Sequence, residues 1–129
     1  MKFYVKSQNV KELSPKNFKL MDIGKGHVNI DNNKTNHLVK FYAHWCPHCN
    51  NPELKDMLEA FGEKLKDYNI QVSAFNCAQD TEHGDLSEYL GIESYPTLMY
   101  KDIHNNKFVK FNGKRDLKSI IEFLVKNKK

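Results

Sequence analysis

Residues 37–49 read HLVKFYAHWCPHC, a mostly apolar run from His37 to Ala43 followed by two cysteines three positions apart. The run predicts a central strand covered on both faces. Behind Cys49 the period changes. Leu54, Met57, Leu58, Phe61, Leu65 and Tyr68 recur at helical spacing, which predicts one long helix packing a single apolar stripe. Cys46 and Cys49 thus stand at a strand-to-helix junction. Unpaired backbone N–H groups and the positive end of a helix there favour a thiolate, the form that attacks disulfides. Cys49, one turn further on, is placed to attack a mixed disulfide formed at Cys46.

Outward from this junction, Ile70 to Phe75 predicts a second strand, and Asp85 to Leu90 a short helix ended by Gly91. Thr97–Tyr100 and Phe108–Phe111 flank a polar loop with Asn105 and Asn106, a hairpin pattern. Leu117, Ile120, Ile121 and Leu124 mark a C-terminal amphipathic helix. Upstream, residues 2–5 read as a short strand, and Ser14-Pro15 as the start of a brief helix stopped by residues 22–26. Residues 29–36 read as loop. The order strand, helix, strand, helix, hairpin, helix is an α/β plan with a central mixed sheet flanked by helices.

A chain of 129 residues with 40% hydrophobic composition suits one core, so a single domain over 1–129 is expected, with an extension at about 1–9 and a basic tail at 126–129. Net charge is only +4 and the basic residues are interspersed with acids. No nucleic-acid motif accompanies them, and the tail reads as solvated. There is no apolar stretch of signal-peptide or membrane-spanning length. The expectation is a cytoplasmic monomer without membrane or nucleic-acid partners, with a virion or secretory setting left open. Three cysteines, one of them unpaired in the pattern, make a poor structural disulfide framework. Cys77, at the end of the second strand, reads as a buried free thiol.

The stretch LVKFYAHWCPHC resembles the thioredoxin superfamily, and FYAxWCxHC within it resembles the catalytic domains of protein disulfide isomerases. Phe75-Asn76-Cys77, then Tyr89 to Leu98 (YLGIESYPTL), then Asn112 to Leu117 (NGKRDL) continue the resemblance in order, over roughly residues 10–125. The resemblance implies a thioredoxin fold and a thiol–disulfide oxidoreductase needing no cofactor beyond a reversible Cys46–Cys49 disulfide. Its partners would be protein thiols or disulfides and an unidentified electron donor or acceptor. It also implies that Pro96 is cis and faces the dithiol, that Tyr95 backbone atoms bind substrate, and that Trp45 offers a flat docking surface. Pro47-His48 matches the dipeptide of the bacterial oxidant DsbA, which points to a His48-stabilised thiolate and to oxidation or isomerisation. Thioredoxin-type reduction is the alternative. His44 reads either as a second imidazole at the site or as a surface residue, and Arg115 either as a late visitor to the site or as a surface arginine.

Two positions depart from that pattern. Lys40 stands where such proteins usually bury an acid, leaving three readings open: a neutral base, a partner for an acid elsewhere, or an ammonium reaching solvent. Pro52 lies three residues after Cys49, closer than the usual helix-kinking proline, which predicts a re-shaped first turn with a carbonyl left free. Three rival readings remain. A zinc module would need four ligands from Cys46, Cys49, His44 and His48 with no second CxxC to help, so no metal site is expected. A redox-inert binding domain would tolerate serine at both cysteines. A glutaredoxin-like enzyme would carry a Thr-Val-Pro and a Gly-Cys-Asp turn, where this chain has Ser94-Tyr95-Pro96 and no such turn.

Overall fold

The strand predicted from His37 onward is fully buried along its length, residues 36–42. It forms the middle of the sheet in a computed structural model that describes residues 9–31 and 34–128. In chain order the elements are β1 (Val10–Leu13), a 3-10 turn (Pro15–Asn17), β2 (Phe18–Leu20), β3 (Val28–Ile30), β4 (Asn36–Tyr42), a 3-10 turn (His48–Asn50), α1 (Pro52–Leu65), a 3-10 turn (Lys66–Tyr68), β5 (Ile70–Asn76), α2 (Thr81–Tyr89), β6 (Thr97–Lys101), β7 (Val109–Lys110) and α3 (Leu117–Asn127). The main sheet has the order β1-β5-β4-β6-β7. β1, β5 and β4 run parallel, and β6 and β7 antiparallel, so the sheet is mixed as expected.

The period of two along β4 sorts its side chains into two layers. Leu38 and Tyr42 join Leu58, Phe61 and Leu65 of α1 and Ile120 and Leu124 of α3. Val39 and Phe41 turn to the opposite face, with Leu86 of α2 and Phe18, Val28 and Ile30 of the small β2–β3 hairpin. Lys40 falls on the α1 side of this alternation, fully buried.

The structure corrects several expectations. The segment after Ser14-Pro15 is a single 3-10 turn that gives way to β2 rather than a helix, and part of the stretch read as loop is β3. Strands of three residues are too short to show alternation, and they are held from outside. Asn17 bonds Asp31 at 2.7 Å, and the ring of Phe18 meets Phe75 edge-on at 5.4 Å. Gly24 and Gly26 take positive φ in the connection, where other residues are strained. β1, just after the supposed extension, was not expected, and the strand expected at residues 2–5 lies outside the described residues. α1 starts at Pro52 and stops at Leu65, so Tyr68 falls in a 3-10 turn and is largely exposed, ended by Asn69 in the left-handed region. α2 begins earlier than predicted because Asp80 caps it through the His83 N–H at 2.9 Å. α3 runs through Lys126 and Asn127, so the first half of the expected tail is helical, and Lys128 bonds the Tyr68 carbonyl at 2.8 Å. Leu117 and Ile121 lie on its outer side and are partly exposed.

Gly62 marks where α1 meets the start of β1, since a β-carbon there would collide with the Asn9 carbonyl. Gly62→Ala is therefore expected to destabilise the protein by about 1–3 kcal/mol, although alanine favours helices more than glycine by about 1 kcal/mol. Urea unfolding of the two proteins checks this, and an unchanged or raised midpoint would contradict the close approach.

Candidate active site

Parallel pairing of β4 with β5 and the switch to antiparallel β6 bring the carboxyl end of β4 against the segment entering β6. Cys46 lies just past β4, its N–H bonded to the Ala43 carbonyl at 3.0 Å. Its thiol donates to the Tyr95 carbonyl at 3.7 Å, and the Tyr95–Pro96 peptide is cis. Trp45 stands exposed beside them and meets the Tyr95 ring edge-on, centroids 5.9 Å apart. Cys46, Trp45, Tyr95 and Pro96 are thus brought together.

Cys46 does not sit on the end of the long helix. Pro52 has no N–H to give, and proline disfavours helical backbone in the residue before it. Asn51 accordingly adopts φ −59° and ψ 118°, and its side chain caps α1 by accepting from the Glu53 N–H at 2.9 Å. The CxxC is instead folded into its own 3-10 turn, with the Cys49 N–H on the Cys46 carbonyl at 3.1 Å and the Asn50 N–H on the Pro47 carbonyl at 3.2 Å. The re-shaped first turn expected from Pro52 is what the structure contains.

All three cysteines are free, buried thiols. Burial pushes Cys46 up, but hydrogen bonds from the Cys49 thiol and from the Cys49 and His48 backbone N–H groups, with the Lys40 charge, outweigh it and leave this thiol below its ordinary value. Cys49 is pushed up to about 11, chiefly by burial and further by its hydrogen bond to Cys46 and the charge there. Burial drives Cys77 to about 12. One sulfur of the pair is thus shifted toward the thiolate and its neighbour toward the thiol.

His48 contributes through its main chain. Its ring is exposed, and what reaches Cys46 is the backbone N–H rather than the imidazole assigned from the sequence. His44 is half-buried and tied to Asn76, whose amide nitrogen lies 3.1 Å from its Nδ1 and whose oxygen accepts from the His44 N–H at 3.3 Å. Arg115 donates to the Pro96 carbonyl at 2.7 Å, so it braces the cis-proline segment. Together with His48, Asn51, Glu53 and Met57 it lines a cavity of about 250 Å³ beside the dithiol. Among the described residues no three His, Cys, Asp or Glu side chains converge as a metal cluster would.

Lys40 is the least anticipated element. Its ammonium does not reach solvent but donates to the Cys49 carbonyl at 2.9 Å, and its Nζ lies 5.5 Å from the centre of the Tyr42 ring. Burial lowers it to about 8, against the raising influence of Cys49 and Glu12. Three residues that sequence reading passed over complete the site. Asn50 donates to both the His44 and Cys46 carbonyls at 3.2 Å. Asn76 anchors His44 from the end of β5. Glu12 accepts from the Tyr42 hydroxyl at 2.6 Å. An asparagine ending an apolar strand was the one signal available for Asn76; Glu12 becomes visible only once β1 is paired.

The thioredoxin family model matches residues 9–126. Protein disulfide-isomerase of Arthroderma benhamiae is 36% identical over 90 residues, covering 69% of this chain and 16% of the relative. Protein disulfide-isomerase of Drosophila melanogaster is 37% identical over 90 residues, covering 70% and 17%. The chain therefore spans about one sixth of the length of these curated relatives. In solved structures, the Trx4 domain of ERdj5 superposes with a TM-score of 0.63 at 22% identity, covering 92% of this chain and 95% of that one. That likeness is one of fold.

The burial difference within the pair predicts a separation in alkylation. Cys46 should react with iodoacetamide along a titration whose midpoint lies below that of an ordinary thiol, while Cys49 and Cys77 stay unmodified until the pH nears 11 and 12 respectively. Peptide mass spectrometry after timed alkylation from pH 5 to 10 reads this, and equal labelling of Cys46 and Cys49 at pH 7 would overturn the assignment.

Proposed function

This chain belongs to the thioredoxin family, and from that premise we propose that it is a protein thiol–disulfide oxidoreductase acting as an oxidase or isomerase. The observation that carries the reading is the Cys46 sulfur held against the Tyr95 carbonyl beside cis-Pro96, with the buried Cys49 one turn behind it. The relatives named protein disulfide-isomerase support the same direction.

In the reducing direction, the Cys46 thiolate attacks one sulfur of a substrate disulfide and the other leaves as a thiolate. Cys49 then attacks Cys46 in the mixed disulfide, closing the Cys46–Cys49 bond and releasing the second substrate sulfur. Two electrons pass from the pair to the substrate. Oxidation is the reverse, a substrate thiolate attacking Cys46 of the closed pair. Isomerisation stops at the mixed disulfide and lets another substrate thiol displace Cys46. Pro47 fixes the entry to the turn, and Trp45 with Tyr95 and Pro96 forms the substrate-docking surface. Arg115 holds the Pro96 carbonyl in place, and His44 orients the loop through Asn76.

The partners in this reading are protein thiols or disulfides and a separate redox partner, with the chain acting as a monomer. The isomerase-named relatives do not support the cytoplasmic setting expected from the sequence. An oxidising secretory compartment is the setting we favour, because a dithiol that donates disulfides is held reduced by a cytosolic thiol pool. Among the described residues no helix is long and apolar enough to cross a membrane.

The deciding measurement is the reduction potential of the pair, read by Trp45 fluorescence in glutathione buffers. A value well above roughly −270 mV fits oxidation or isomerisation; a value at or below it makes the protein a reductase. In oxidative refolding of a reduced protein, Cys46→Ser should abolish catalysis, while Cys49→Ser should accumulate a mixed disulfide visible on a non-reducing gel. Full activity in Cys46→Ser would end the enzymatic reading.

A further inference from the structure

A lysine on the middle strand, a break before α1 and a carboxylate on β1 meet within one small region under the dithiol. In an unbroken helix the Cys49 carbonyl would accept from the N–H of residue 53. Here that N–H is turned onto the Asn51 side chain, and the Cys49 carbonyl takes the Lys40 ammonium instead, at 2.9 Å. The lysine supplies the donor that the break withholds.

Its own placement is set by the sheet. Lys40 is paired with Ala74 and Ala74 with Glu12, so the three residues form one row across β4, β5 and β1. Directly paired residues share a face, and the small Ala74 leaves room between the two charged chains. Glu12 also holds the hydroxyl of Tyr42, whose ring lies beneath the ammonium. The cation is therefore fixed between the Glu12 carboxylate on one side and the second cysteine on the other.

We propose that Lys40 is the positioning residue of the resolving step, pinning Cys49 through its carbonyl and presenting a positive charge to the Cys49 sulfur as that sulfur ionises and attacks the mixed disulfide. The inference rests on the disulfide-exchange reading of the pair. In the step, Cys49 loses its proton to water and its sulfur bonds to that of Cys46. The Cys46–substrate S–S bond breaks, the departing sulfur leaves as a thiolate, and the dithiol is oxidised by two electrons as the substrate is reduced.

Among the described residues the charged and titratable groups facing Lys40 include Glu12 on β1, Tyr42 on its own strand, Cys46 and Cys49, Lys55 on α1 and Arg115 ahead of α3. Those facing Cys49 are Cys46, Lys40, Cys77 and Tyr95. Lys40 is the one cation acting on Cys49 among them, and it works against the burial that keeps this thiol protonated.

Stopped-flow mixing of the reduced full chain with Ellman's reagent separates the two events. The first thionitrobenzoate release reports attack by Cys46 and depends on reagent concentration; the second reports resolution by Cys49 and does not. In Lys40→Met the second phase should slow by roughly tenfold at pH 7, with its pH midpoint raised by about one unit, since one unit is a tenfold change in thiolate. The first phase should stay within about threefold, and Lys40→Arg, which keeps the charge, should resolve close to the native rate. Pro52→Ala lifts the restriction on Asn51 and lets the Glu53 N–H turn to the Cys49 carbonyl, so the Lys40→Met effect should shrink in that background. A second phase unchanged in rate and midpoint in Lys40→Met overturns the inference, as does an equally large effect with and without Pro52. Where Lys40→Met loses its far-UV circular dichroism, Lys40→Gln, a donor without charge, is read by the same criteria. Absence of a second phase in the native chain instead sinks the disulfide-exchange reading itself.

Discussion

Burial of β4 on both faces is the constraint from which the remaining geometry follows. A strand with neighbours on both edges and layers above and below has no freedom of register, because a slip of one residue would send its whole inner set to the wrong layer. Here the register sends Leu38, Lys40 and Tyr42 toward α1 and α3, and Val39 and Phe41 toward α2 and the small hairpin. The same fixed strand delivers Cys46 to its carboxyl end, where the parallel neighbour stops and the antiparallel β6 begins with its cis-proline. The dithiol is held by the sheet first, and by α1 only through the turn between them.

The period of two that places hydrophobic residues also obliges the sheet to house a lysine. An ammonium buried without partners is costly, so the surroundings have to answer it. They do so with the Cys49 carbonyl, the face of Tyr42 and the charge of Glu12. The break at Asn51–Pro52 and the lysine are in this sense one arrangement: a free carbonyl and a buried donor, each of which would be unfavourable alone, satisfy one another. The lowered pKa of Cys46 likewise draws on local backbone donors at His48 and Cys49 rather than on the end of α1, whose first turn is already occupied by Asn51 and Glu53.

What was legible in the sequence was what repeats. β4, α1, β5, the β6–β7 hairpin and α3 were visible because apolar residues recur with a period set by backbone geometry. The CxxC and Tyr95-Pro96 were visible because those residue types have few other uses side by side. Elements without enough length to repeat were lost: β1, β2 and β3 are three or four residues each, defined by partners distant in the chain. Site residues defined by pairing were lost for the same reason. Glu12 becomes meaningful only when Ala74 separates it from Lys40, and Asn76 only when the end of β5 lies beside His44. The role given to His48 went astray because residue type was read without direction; the chain turns its ring outward and its N–H inward.

Among the described residues the sheet is bordered by β1 and β7. β7 is two residues long, with Lys110 exposed, and β1 is four residues long, with Lys11 exposed and paired to Asp31 at 2.8 Å. Short, charged borders offer few open backbone groups for another chain to extend. A protein whose proposed clients are incompletely folded polypeptides spends its time among strands seeking a partner. Borders of this kind discourage such clients from stacking onto the sheet, so that the proposed docking at Tyr95–Pro96 does not compete with strand addition at the edges.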